Sequence, residues 1–151
     1  REHIRECVSI LPQESLLFSD TIKGNLLAGR PCQEENLYQM CEMVGLHDEI
    51  CKLEHGYDTV LQEKGGPLSG GQKKRIVFIR SVMKKAEVYL FDEPTVGVDY
   101  ENSMRMMEYL KKLANRHYVI VITHEKKLMG QYPGIIHDFN EGRKPYEIRY
   151  E

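Results

Sequence analysis

The sequence predicts an α/β fold built on a mainly parallel sheet, and three observations carry that prediction. Short apolar, β-rich runs recur at Cys7–Leu11, Val88–Phe91 and Tyr118–Ile122. Helix-period stretches lie between them. The last two runs are almost continuously apolar, as strands covered on both faces of a parallel sheet are. The 151 residues, 41% apolar and 29% charged, are those expected of one soluble globular domain.

Taken in order, Cys7–Leu11 is the first strand. Ser19 or Asp20 is expected to cap a helix running through Thr21 to Leu27. Leu37, Met40, Cys41 and Val44 then come at i, i+3, i+4 and i+7, one apolar helical face. Ser69-Gly70-Gly71 opens a helix that begins near Gly70 and runs to about Met83. After the second strand, Met107, Leu110 and Ala114 mark another helical face, with the methionines at 104, 106 and 107 as core filler. The tail reads as a hairpin, Gly134–Phe139 with Tyr146–Tyr150, joined through Asn140-Glu141-Gly142-Arg143.

Several function classes are disfavoured. With 21 Lys and Arg against 23 Asp and Glu, the net charge of −2 lacks the basic excess of a nucleic-acid binder, so no nucleic-acid partner is expected. No run approaches the roughly 20 apolar residues of a membrane span, and Arg1–Glu6 lacks a signal-peptide layout. Cys7, Cys32, Cys41 and Cys51 are not at C-x-x-C spacing. They are expected as reduced, mostly buried thiols rather than as a metal site using Cys41, His47 and Cys51.

The chemistry-bearing residues stand at the ends of the strands. The three runs lead into Leu11-Pro12-Gln13, Asp92-Glu93-Pro94 and Thr123-His124-Glu125. In open α/β sheets ligands bind beyond the carboxyl ends of the strands. An amide, two adjacent carboxylates and an imidazole all fall there. Ser69-Gly70-Gly71, placed before a helix, offers backbone N–H groups and a positive dipole end to an anion.

Order and combination are specific where each piece is not. Leu68-Ser69-Gly70-Gly71-Gln72, leading into Lys73-Lys74-Arg75, resembles the signature motif of ABC ATPases. Val88–Thr95 resembles their Walker B segment, and Val96-Gly97-Val98-Asp99 falls at their D-loop. Gln13 matches the Q-loop glutamine and His124 the switch histidine. Gln13–Ile22 with Asn25-Leu26 is similar to the Q-loop region of ABC exporters. Gly56–Val60 and Glu63-Lys64-Gly65 resemble their X-loop region.

The resemblance implies a partial P-loop NTPase (RecA-like) core over residues 1–18 and 86–151, with a helical signature subdomain over about 19–85. It implies ATP and Mg2+ as cofactors, and phosphoryl transfer that rests on positioning and charge. Asp92 would hold Mg2+ through water, since that ion keeps part of its hydration shell. Gln13 would offer its amide oxygen to the metal or the water. Glu93 would orient or deprotonate the attacking water, and His124 would donate to the γ-phosphate. Ser69, Gly70, Gly71 and Gln72 would grip ATP held by a second ABC ATPase domain in a head-to-tail dimer, with Asp99 near that interface. A transmembrane domain would be met through Gln13 and Glu63-Lys64-Gly65, at the cytoplasmic face of a membrane.

Two departures stand out. Lys74 occupies a position where the family often has Gln or another polar residue, and Val96-Gly97 only partly reproduces a small D-loop pair. No G-x-x-x-x-G-K-[ST] motif occurs in these residues. The nearest match, Gly24–Pro31, has Arg30 and Pro31 where a phosphate-binding Lys and a hydroxyl are required. The expectation is the C-terminal part of an exporter's ATPase domain, which alone binds ATP weakly at best and hydrolyses essentially none. Two other readings stay open: a non-catalytic ABC-like module donating its signature in trans, and a soluble, non-transport ABC ATPase.

Overall fold

The computed structural model of the chain describes residues 6–14, 16–62, 66–125, 135–136 and 148–149. One parallel sheet runs in the order β1 (Val8–Leu11), β2 (Val88–Asp92), β3 (Tyr118–Ile122). Its register places Leu11 beside Phe91 and Phe91 beside Val121. Parallel neighbours need long crossovers. Between β1 and β2 run α1 (Ile22–Leu27), α2 (Glu34–Met43), α3 (His47–Cys51), a 3-10 turn at Gly56–Asp58 and α4 (Gly70–Met83). The connection from β2 to β3 is α5 (Tyr100–Ala114). The predicted α/β class and the three strands are therefore observed. A small antiparallel pair, β4 (Ile135–Ile136) with β5 (Ile148–Arg149), falls within the two runs expected as a hairpin. Residues 137–147 between them lie outside the described residues.

The core forms where the helical stripes meet one face of the sheet. Ile76, Val77, Phe78 and Ile79 of α4 are buried. The Phe78 ring lies 5.5 Å from that of Phe91 on β2 and 6.0 Å from that of Tyr109 on α5. Ser9, two residues before Leu11 on the same side of β1, donates through Oγ to the Ser81 carbonyl of α4 at 2.7 Å. Leu37, Cys41 and Val44, predicted as one face of α2, join this core with Met106, Met107 and Leu110 of α5.

The structure corrects four expectations. Neither Ser19 nor Asp20 caps α1. The cap is Thr21, in extended backbone, whose Oγ1 accepts from the Gly24 N–H at 2.9 Å, while Asp20 Oδ1 accepts from the Thr21 N–H instead. The stripe of α5 does not include Ala114, which is exposed; it runs through Ser103, Met106, Met107 and Leu110 to the half-buried Leu113. Only Cys41 is buried among the thiols, because Cys51 ends a short surface helix and Cys7 and Cys32 are half-buried. Finally, the strands are covered on one face only among the described residues. Both α4 and α5 pack on the Phe91 side, leaving Ile10, Tyr118, Ile120 and Ile122 exposed at 58, 76, 48 and 46%.

Candidate functional site

Parallel pairing brings Gln13, Asp92, Glu93 and His124 to the carboxyl edge of the sheet. Asp92 is the last residue of β2 and sits beside Ile122, the last of β3. The next step is unusual: Glu93 has φ +48, a left-handed conformation that a non-glycine residue adopts only when its surroundings enforce it. The enforcing contacts are visible. The Glu93 N–H donates to the Ile122 carbonyl at 2.8 Å, extending the ladder one residue past the strand. Its Oε1 accepts from the His124 backbone N–H at 3.1 Å and lies 2.7 Å from His124 Nδ1.

The two partners differ in exposure. The His124 side chain is 76% exposed and that of Glu93 only 12%. The hydrogen bond to Glu93 first, and its negative charge second, hold the His124 imidazole above the usual histidine pKa. The second carboxylate oxygen, Glu93 Oε2, is buried with no hydrogen-bond partner among the described residues. A buried acceptor without a donor is costly, so this oxygen is suited to a water. The donor set here, carboxylate and amide oxygens at a strand edge, fits a hard cation. Among the described residues no three His, Cys, Asp or Glu side chains converge as a metal cage.

A second cluster forms at the start of α4. Ser69 caps the helix in a complete capping box: its Oγ accepts from the Gln72 N–H at 3.2 Å, and its own N–H donates to Gln72 Oε1 at 2.8 Å. Gln72 Nε2 donates in turn to Glu49 at 2.8 Å. The Gln72 amide is thus turned inward and shapes the loop, leaving Ser69 and Gly70 exposed. A Cβ on Gly71 would stand 2.9 Å from the Gly97 carbonyl, so the start of α4 and the Val96–Asp99 segment touch backbone to backbone. Gly97 itself has φ +80. Asp99 caps α5, its carboxylate accepting from the Asn102 N–H at 3.0 Å and from Asn102 Nδ2 at 2.8 Å, which lowers its pKa. Glu63-Lys64-Gly65 lie outside the described residues.

Sequence reasoning gave no structural role to the residues that hold these segments. Arg75 is nearly buried; its Nη2 donates to both carboxylate oxygens of Glu49 at 2.8 and 2.9 Å, and its Nη1 donates to the Gly45 carbonyl at 2.6 Å. Asn25, wholly buried, donates to the Phe18 and Thr21 carbonyls at 3.0 Å each and accepts from the Phe18 N–H at 2.7 Å. Lys74 reaches the Gln13 carbonyl at 2.8 Å. The available signal was polarity on a helix face otherwise apolar, in Lys74 and Arg75 ahead of Ile76–Ile79.

The parallel sheet, its carboxyl edge and the capped helix define an α/β fold, and the comparisons specify its family. The family model described as ABC transporter matches residues 1–96, and the chain belongs to that family, as an exporter-type nucleotide-binding domain. It is 36% identical over 124 residues to the human mitochondrial iron-sulfur clusters transporter, covering 82% of this chain and 16% of that protein. It is 35% identical over 122 residues to the ATP-dependent lipid A-core flippase of Syntrophus aciditrophicus, covering 80% of this chain and 20% of that protein. A solved bacterial Atm1-family ABC exporter with ATP bound superposes with a TM-score of 0.80 at 30% identity, over 87% of this chain and 23% of that one. The chain spans about a fifth of the length of the curated relatives it matches.

Proposed function

We propose that this chain supplies the signature, Walker B, D-loop and switch-histidine part of an ATP-hydrolysing domain that drives export across a membrane. The observation that carries the reading is Glu93: strained in backbone, held by His124, adjacent to Asp92, and with one carboxylate oxygen unpartnered among the described residues. Asp92 and the Gln13 amide would hold Mg2+, which when bound neutralises phosphate charge. Glu93 would orient the attacking water and accept its proton. His124 would leave Glu93 to donate to the γ-phosphate.

Ser69, Gly70 and Gly71 would face ATP bound by a second such domain, the head-to-tail arrangement in which Asp99 lies near the interface. Gln72 and Glu49 would act by shaping that loop. The exposed Leu16 and Phe18, just past Gln13, give an apolar face to a transmembrane domain. Glu63-Lys64-Gly65 would belong to the same contact, at the cytoplasmic side. Among the described residues no helix is long and apolar enough to cross a membrane.

The test is ATP turnover by the full-length protein. Glu93→Gln should lower kcat by at least about a hundredfold while ATP still binds. Ser69→Arg should likewise cripple turnover and spare binding. The 151-residue chain alone should hydrolyse essentially no ATP. Full turnover in the Glu93→Gln protein would overturn the assignment. Absence of ATP turnover in the unaltered full-length protein would favour the non-catalytic module instead.

A further inference from the structure

Two cationic side chains of α4 hold the loop after β1 at both of its ends. Lys74 Nζ donates to the Gln13 carbonyl at 2.8 Å, and Arg80 Nη2 donates to the Leu16 carbonyl at 2.6 Å. Arg80 also lies over the Phe18 ring, 4.9 Å from its centroid. The two anchors differ in setting. Lys74 is only 3% exposed as a residue, whereas its loop partner Gln13 is exposed. A buried ammonium is expensive unless it is well bonded, and water has little access to replace the Gln13 carbonyl if that bond opens.

The position of Lys74 along its helix gives the bond a consequence. It sits in the first turns of α4, and the Lys73 N–H beside it donates to the Ser69 carbonyl at 3.0 Å. A displacement of the Gln13 carbonyl must therefore be matched by the N-terminal end of α4 or must break a charge-assisted hydrogen bond. The Asp92 and Glu93 carboxylates act on the same ammonium from the strand side, countering the effect of its burial. One side chain thus ties the Gln13 loop to a helix whose cap is the signature serine.

We propose that Lys74 is a positioning residue that couples the Gln13 loop to the Ser69–Gln72 end of α4. The proposal rests on reading those two segments as parts of ATP sites, and it concerns how they move together. An element shared by two sites, with one bond that both must respect, is the physical requirement for coupling.

The experiment is made in the full-length protein with Lys74→Met, which keeps an apolar stem and removes the donor, and Lys74→Arg, which keeps a donor. Hydrogen exchange should rise about tenfold in Lys74→Met at residues 12–18 and also at 68–73. ATP turnover should fall about tenfold in kcat with KM for ATP within about twofold. Lys74→Arg should restore most of both, with Tm of all variants within about 3 °C. Exchange unchanged at 68–73 in Lys74→Met would overturn the coupling. So would an equal loss in Lys74→Arg accompanied by a fall in Tm, which marks simple packing. If Lys74→Met does not fold, Lys74→Leu, which also lacks a donor, is judged by the same two exchange regions. Should the unaltered protein lack ATP turnover, the functional reading fails while the exchange comparison still decides the coupling.

Discussion

Glu93 receives His124 twice: Oε1 accepts from the His124 backbone N–H at 3.1 Å and lies 2.7 Å from its ring Nδ1. The main-chain contact fixes the carboxylate to the end of β3, and the ring contact leaves an exposed imidazole free to exchange partners. The consequence is a titration. Because the folded pKa of His124 is raised, the contact stabilises the protein fully below the ordinary histidine value of about 6.5. That contribution is lost as pH rises through the folded value. NMR titration should find His124 above the usual histidine range, and Glu93→Gln should bring it down. An unshifted His124 in the unaltered protein would contradict the contact.

Gly71 and Gly97 should fail for different reasons. A Cβ on Gly71 meets backbone, the Gly97 carbonyl at 2.9 Å, whereas one on Gly97 meets nothing within 4 Å but must be carried at φ +80. Gly97→Ala should therefore cost about 1 kcal/mol of stability through backbone strain. Gly71→Ala should cost more and disturb the D-loop. Chemical denaturation measures both, and equal, purely additive effects would show that the two backbones are not in contact.

Arg75 depends on Glu49. Glu49→Ala leaves a nearly buried guanidinium without its carboxylate partner and Gln72 Nε2 without its acceptor. The expected loss is about 2–3 kcal/mol in urea unfolding, part of which a double change of both residues to Met should recover. Failure of the double variant to recover anything would place the effect outside this pair.

Asn25 tests the segment between Gln13 and α1. Its Nδ2 faces the carbonyls of Phe18, Asp20 and Thr21. Asn25→Ala should cost about 1–2 kcal/mol, because the Phe18 N–H loses its acceptor while the Phe18, Asp20 and Thr21 carbonyls keep a backbone donor each. Asn25→Asp should be worse at neutral pH, because a carboxylate would face those carbonyls, and should improve as acid protonates it. Thermal unfolding across pH separates the two outcomes.

Much of the architecture was legible in the chain. α4 spans Gly70–Met83 as predicted from Ser69-Gly70-Gly71 and the run behind it, and all three sheet strands fall on the apolar runs. The cap of α1 was misplaced because Ser19, Asp20 and Thr21 are all good capping types, and only the Gly24 N–H distinguishes them. β3 is apolar on both faces, and among the described residues the Phe91 side is the one covered, by α4 and α5; which helix covers which face is a matter of packing that the run itself does not encode.

The sequence by itself determined the element order, the motif order and the family, because periodicity, capping and short motifs depend on neighbours a few residues apart. The tertiary structure alone decided that Lys74 holds Gln13 across 61 positions, that Arg75 pairs with Glu49 across 26, and that His124 meets Glu93 across 31. Those partners are set by where packed helices and paired strands bring distant backbone together, and no local pattern encodes that.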